Sequence, residues 1–306
     1  MKRALYWFGG LASLACVAFF ARALGRHWDA VASIPWGAGV LVASILSLLI
    51  YMSTYAVAIG VWQRCLQSLG WPLAYPRAAR VLMLSQFAKY LPGNVGHHVG
   101  RVALARNAGV ATEVAVASML VETSLVIVAG ATCSLPAVAL LLRVGTQQLA
   151  AAGRAVPGYV LPALVLGSLV AAWVATRFWR RHVRGHDFLL RDAVRSLTLA
   201  WVGLCLSFAL GGTALFLLCN TLSAAHAAWL DVVGVYAAAW LLGFLVPGSP
   251  AGLGVRELVL LLGLAPIYGA SSATMAAALL RLVTVAGDGL VFLLAAVART
   301  RTPSGT

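Results

Sequence analysis

Apolar positions come in two kinds of run along this chain: continuous ones, and ones broken near the middle. About 20 consecutive apolar residues cross a hydrocarbon core of about 30 Å. By that rule six full spans are predicted, over about residues 4–24, 36–61, 112–134, 156–176, 197–220 and 271–298. Two further stretches, about 78–108 and 230–268, do not fit. In the second of these, WLLGFLVPGSPAGLGVRELVLLLGL from Trp240 to Leu264, Pro247 and Pro250 remove backbone donors and Gly248, Gly252 and Gly254 loosen the helix. Arg256 and Glu257 then open the resumed apolar run. Unpaired N–H and C=O groups at membrane depth cost several kcal/mol each, so such a break persists only where protein or a water-filled cavity covers it. The arms on either side are too short to cross, which predicts two re-entrant helical hairpins, each entering and leaving on one side.

The first broken stretch is a weaker copy of the second. QFAKYLPGNVGHHVGRVALARNAG, from Gln86 to Gly109, also reads as an apolar arm, a Pro-Gly break, a glycine-rich turn and an arm bearing Arg. Setting Glu122 against Arg281 continues the match, with a four-residue difference in the loop after the break. The chain therefore reads as one transmembrane domain over 1–306, with repeat 1 at about 1–143 and repeat 2 at about 156–298. Each half holds two spans, a hairpin and a third span, so an odd number of crossings turns the second half upside down. The expected fold is an all-α polytopic membrane protein with an inverted-topology repeat, an architecture in which the binding site lies between the repeats.

Composition agrees with this pattern and removes the soluble alternatives. The chain has 306 residues, 62% hydrophobic and 10% charged, against roughly 45–50% and about 25% in soluble domains. No hydrophilic stretch is long enough for a separate soluble domain. A net charge of +14 would point to nucleic acid in a soluble protein; here the arginines gather in loops as the positive-inside rule requires. The densest basic segment is 177–195, and further basic groups lie at Arg64, Arg77, Arg80, Lys89, Arg101 and Arg106 and in the tail 299–306. Counted from an inside MKR start, six crossings place all of these, and both termini, in the cytoplasm. The first apolar run exceeds the h-region of about 7–15 residues of a signal peptide, which favours a retained span. Trp62, Trp71 and Tyr75 are expected as interfacial anchors. Cys16, Cys65, Cys133, Cys205 and Cys219 show no CxxC spacing and mostly lie in apolar runs, so they read as small packing residues.

Charges placed within spans and hairpins carry the chemistry. Each costs about 2.5–3.5 kcal/mol at the centre of a membrane helix even on mild scales. Glu122, Arg256, Glu257, Arg281 and Asp288 are such positions, together with Lys89, Asn94, His97, His98 and Arg101 at the first hairpin. Separate structural ion pairs, such as Glu122 with Arg281, would explain them one by one; a polar cavity lined by all explains them jointly. A helix restarting after a Pro-Gly break presents free N–H groups and a positive dipole end, which favours an anion such as phosphate. Arg101, Arg256 and Arg281 add fixed positive charge, and Glu122, Glu257 and Asp288 are candidates for gating or coupling. Adjacent histidines on a helix point about 100° apart, so His97 and His98 read as turn lining, with no metal site. The Gly96/Gly100 and Gly248/Gly252 spacings are expected to let the hairpin arms approach other helices. No nucleotide-binding loop, serine-hydrolase elbow or zincin motif occurs, so no cofactor is expected.

At KYLPGNVGHHVGR (Lys89 to Arg101), Glu122 and PGSPAGLGVRE (Pro247 to Glu257) the sequence resembles the membrane-domain family of lysylphosphatidylglycerol synthetase/flippases and their stand-alone, YbhN-like relatives. The resemblance spans nearly the whole chain. It implies a flippase-like protein of the bacterial inner membrane that moves lipids. Three features depart from the pattern: Thr123 stands where relatives often carry Arg, His97 and His98 occupy commonly small or acidic positions, and Ser249-Pro250-Ala251 stretch the second motif. The soluble aminoacyl-transfer domain of the fused members is absent from this sequence. The leading expectation is a flippase for an anionic, phosphate-bearing lipid, with self-association open and no nucleic-acid partner. The alternatives are an intramembrane transferase acting on a polyprenyl-phosphate or phospholipid, with Glu257 or Asp288 as base, and a non-transporting scaffold of a lipid-synthesis complex.

Overall fold

The computed structural model describes residues 29, 32–86, 96–151, 190–246, 252 and 254–298. The spans expected at about 4–24 and 156–176, Lys89, Asn94, both Pro-Gly dipeptides, Ser249-Pro250-Ala251, Cys16, most of the basic loop and the tail lie outside the described residues. Among the described residues there are eight helices and no strand: α1 Ala38–Ser68, α2 Tyr75–Gln86, α3 Gly96–Asn107, α4 Thr112–Ala151, α5 Leu190–Leu222, α6 Trp229–Leu245, α7 Val255–Tyr268 and α8 Ala270–Ala298. Four segments are long and apolar enough to cross a membrane: Ala38–Ser68, Thr112–Val138, Arg191–Leu222 and Ala270–Ala298. They coincide with the described members of the expected six. Their outward faces remain apolar, with Leu41, Ile45 and Leu49 on α1 and Leu290, Leu293 and Leu294 on α8 exposed. That pattern belongs to helices solvated by lipid.

Short helix pairs flank both breaks. α2 and α3 have 12 residues each, α6 has 17 and α7 has 14. At 1.5 Å per residue each is about 18–26 Å long, less than the hydrocarbon thickness.

Several boundaries differ from the sequence reading. α1 runs on to Ser68 because nothing before Gly70, which takes φ 75, breaks the helix. Trp62 is consequently not an interfacial anchor: it is 0% exposed and donates Nε1–H to Ser118 Oγ at 3.1 Å. α4 continues for 40 residues through Pro136 and most of the expected linker. A proline inside a membrane helix removes one ladder bond without ending it when neighbours cover the gap. The GxxxG expectation fails at Gly100, where a Cβ would meet open space. Close helix approach occurs instead at Gly203 against Val61, Gly212 against the Val233 backbone and Gly234 against the Ala137 backbone.

Packing centres on α1 against α5, the most extensive interface. If α1 is matched with α5, α2 with α6, α3 with α7 and α4 with α8, neighbours map onto neighbours. α4–α6 corresponds to α8–α2, α5–α6 to α1–α2, α7–α8 to α3–α4, α4–α5 to α8–α1, α6–α7 to α2–α3 and α5–α8 to α1–α4. α1–α5 maps onto itself, while α7–α4 has no equally extensive counterpart. Buried side chains form one cluster around α5 to α8 and another around α1 to α3, with a third where α1, α4, α5 and α6 meet.

Candidate functional site

The two short helix pairs converge on a cavity of about 270 Å³ to which each of the eight helices contributes. Its lining includes the charged and polar side chains His97, His98, Arg101, Glu122, Arg256, Glu257, Arg281 and Asp288. All the site residues expected from the sequence, apart from Lys89 and Asn94, are thus brought together. Apolar side chains line it as well, among them Val126, Leu204, Phe208, Trp240, Phe244 and Leu260.

Arg256 owes its position to the way α7 starts. Gly254, at φ 84, turns the chain into the helix in a conformation that L side chains rarely adopt. Glu257 closes the turn: its Oε2 accepts the Gly254 backbone N–H at 2.7 Å, the backward half of a capping box. The Arg256 side chain lies over the Trp240 ring, 5.2 Å from the centroid, in a cation–π arrangement. Two glycines shape its slot. A Cβ on Gly243 would stand 2.5 Å from Arg256 Cγ, and one on Gly252, at φ 74, would stand 2.7 Å from Nε. Gly252 thus makes room for the arginine, and its backbone also lies close to α6, since a Cβ on Gly243 would stand 3.2 Å from Gly252 Cα. The Arg256 guanidinium has no ion pair among the described residues, and its Nε is buried without a hydrogen-bond partner there.

Arg101 is held differently. It is 5% exposed, forms a salt bridge from Nη1 to Glu122 Oε2, and lies over the Trp62 ring at 5.4 Å. The ion pair considered as the alternative, Glu122 with Arg281, does not form: α3 packs on α4 and brings Arg101 to Glu122. Arg281 instead faces Glu257, Nε to Oε1 at 3.6 Å, because α7 packs on α8. With one oxygen capping α7 and the other facing Arg281, Glu257 is anchored at both ends.

Asp288, 2% exposed, accepts hydrogen bonds on Oδ1 from Tyr51 Oη at 2.7 Å and from Tyr55 Oη. Gly287 admits the Tyr51 ring, since a Cβ there would be 2.6 Å from it. The sequence reading missed both tyrosines, although Tyr51 and Tyr55 stand one turn apart in a run that otherwise predicts a plain span. The His97 and His98 rings do not diverge; they lie side by side in a tilted contact, with centroids 3.8 Å apart and planes at 39°. Cys65 and Cys219 are buried among apolar side chains, and the described cysteines are all free thiols.

Such a site can hold an anion. It offers a guanidinium that forms no salt bridge among the described residues, a helix start behind it, and apolar side chains in the same lining. Residues 6–291 match the lysylphosphatidylglycerol synthase TM region, and the chain belongs to that family. No individually curated protein matches it. It is a multi-pass membrane protein of a family concerned with membrane lipid.

Proposed function

We propose that this protein moves a phosphate-bearing lipid between leaflets of the bacterial inner membrane, with the headgroup in the central cavity and the acyl or prenyl chains in the bilayer. The observation that carries the reading is Arg256. Arg256 lines the cavity and forms no salt bridge among the described residues. Desolvating a charge costs several kcal/mol unless an opposite charge offsets it, and a phosphate entering the cavity supplies one through paired N–H···O bonds.

The architecture of the reading is two re-entrant hairpins, α2–α3 and α6–α7, in an inverted repeat whose termini are cytoplasmic. Helices too short to cross, and the correspondence of neighbours between the halves, support it. Alternate opening of the two hairpins would expose the headgroup to one side and then the other. Asp288, Glu122 and Glu257 line the cavity and link neighbouring helices, and are the groups through which binding would be coupled to that motion.

The test is leaflet exchange of labelled phosphatidylglycerol, aminoacylated phosphatidylglycerol and polyprenyl phosphate in liposomes. Wild type should exchange one class, and Arg256→Ala should lose exchange while remaining folded. Normal exchange by folded Arg256→Ala would remove the assignment. A new covalent lipid product in place of relocation would turn the reading towards a transferase.

A further inference from the structure

Five tyrosines lie among the described residues, and four of them donate a hydrogen bond. Tyr51 and Tyr55 donate to Asp288, Tyr75 to the Ala56 carbonyl and Tyr268 to Asn220 Oδ1. Tyr236, on α6, lines the central cavity, and its hydroxyl makes no hydrogen bond among the described residues. The ring is nonetheless closely held. A Cβ on Gly211 of α5 would stand 2.4 Å from its Cε1, Cζ and Oη, and one on Gly212 would stand 2.6 Å from Val233 Cα. Two successive glycines thus bring α6 against α5 and leave a notch that the phenol fills. Phenylalanine would fill it equally well. The hydroxyl adds no bond that holds the fold, and drawing it out of water is unfavourable until a partner replaces the water.

The surroundings of the hydroxyl point to that partner. Trp240, whose ring carries the Arg256 guanidinium, follows Tyr236 by four residues and lines the same cavity. Positions four apart are neighbours on a helix surface. Arg256 and Asp288 are the charged groups within electrostatic reach of the hydroxyl. Asp288 already accepts from Tyr51 and Tyr55, whereas Arg256 Nε is buried without a hydrogen-bond partner among the described residues. One face of α6 therefore brings a neutral donor and a charged donor to the same side of the cavity.

We infer that Tyr236 is a second binding residue of the cavity: its hydroxyl donates to an oxygen of the same phosphate group that Arg256 holds. The seat is then one guanidinium and one phenol, both presented by the second broken pair, α6–α7. This rests on the headgroup reading above and gives Arg256 a partner within it. A phenol has one proton to donate, and a phosphate oxygen accepts it alike in a lipid phosphodiester or in inorganic phosphate.

Binding and stability together test the assignment. The detergent-solubilised full chain is titrated, by intrinsic tryptophan fluorescence, with soluble dihexanoyl phosphatidylglycerol and with inorganic phosphate, and thermal unfolding is followed for each variant. Wild type should bind the phosphodiester more tightly than inorganic phosphate. Tyr236→Phe should weaken the phosphodiester by about 10–100-fold, the effect of losing one charge-assisted hydrogen bond. Its unfolding midpoint should be unchanged or raised, because no bond within the protein is lost. Tyr268→Phe, away from the cavity lining, should do the reverse: affinity stays within about threefold and the midpoint falls with the loss of the bond to Asn220. Arg256→Gln should weaken binding at least as much as Tyr236→Phe. Wild-type affinity in Tyr236→Phe beside a loss in Arg256→Gln overturns the inference and leaves the headgroup reading standing. Wild-type affinity in both overturns the two together. A midpoint lowered in Tyr236→Phe as far as in Tyr268→Phe makes the hydroxyl structural and overturns the inference. Inorganic phosphate binding as tightly as the phosphodiester points to a free anion and overturns the headgroup reading on which the inference rests. If wild type binds neither probe the seat is refuted, and leaflet exchange by the same preparation decides separately whether the transport reading survives.

Discussion

Arg101 and Arg256 pose the same physical problem in the two halves of the molecule, a guanidinium placed in a lipid-solvated bundle, and the two halves solve it differently. The first half supplies a carboxylate, Glu122, so position and charge are settled together. The second half supplies shape: the gap between Gly243 and Gly252 and the face of Trp240 hold the Arg256 side chain in place. Fixing an arginine with a carboxylate uses up its charge. Fixing it with glycines and an indole leaves that charge for something else, and under the proposed function this makes the second half the binding half although both carry the same motif.

Removing the partner that only the first half has should produce the largest effect. Glu122→Ala leaves Arg101 buried and unpaired, with an expected cost of about 3–5 kcal/mol. Adding Arg101→Leu should recover most of it, and equilibrium unfolding in mixed detergent micelles measures both. A loss below about 1 kcal/mol would mean that the pair behaves like a surface ion pair. Tyr55 and Asp288 tie the halves together, α1 to α8, so Tyr55→Phe should cost roughly 1.5–3 kcal/mol, the range for a hydrogen bond to a charged group. The same unfolding assay, with Thr54→Ala as a nearby control, checks it.

The shape-based solution is broken by filling the slot. Gly243→Val should cost about 1–3 kcal/mol through overpacking and should weaken anion binding as well, because it displaces Arg256. Gly100→Ala, where a Cβ meets open space, should be neutral or stabilising by up to about 1 kcal/mol. Equal effects at the two glycines would show that the slot yields freely. The smallest change is Trp240→Phe. It keeps a ring under Arg256 with a weaker quadrupole, and a loss of about 0.5–1 kcal/mol is expected, read as a modest shift in unfolding midpoint.

Much of the second half was legible in the chain itself. Continuous apolar runs against broken ones separate crossing helices from short ones, because the cost of an unpaired backbone group in lipid is paid residue by residue and so leaves a local mark. Charges within those runs are marked in the same way. That is why Arg101, Glu122, Arg256, Glu257, Arg281 and Asp288 could be picked out together and are found around one cavity. Family membership follows from the same local motifs. What needed the tertiary structure is every statement about partners. Glu122 meets Arg101 and not Arg281, Trp62 lies under an arginine and not at the interface, Gly252 makes room for the Arg256 side chain, and two tyrosines of α1 reach a carboxylate on α8. Each of these contacts depends on which helices lie side by side and how each is rotated. That arrangement is set by packing across the whole bundle, and no single segment contains it.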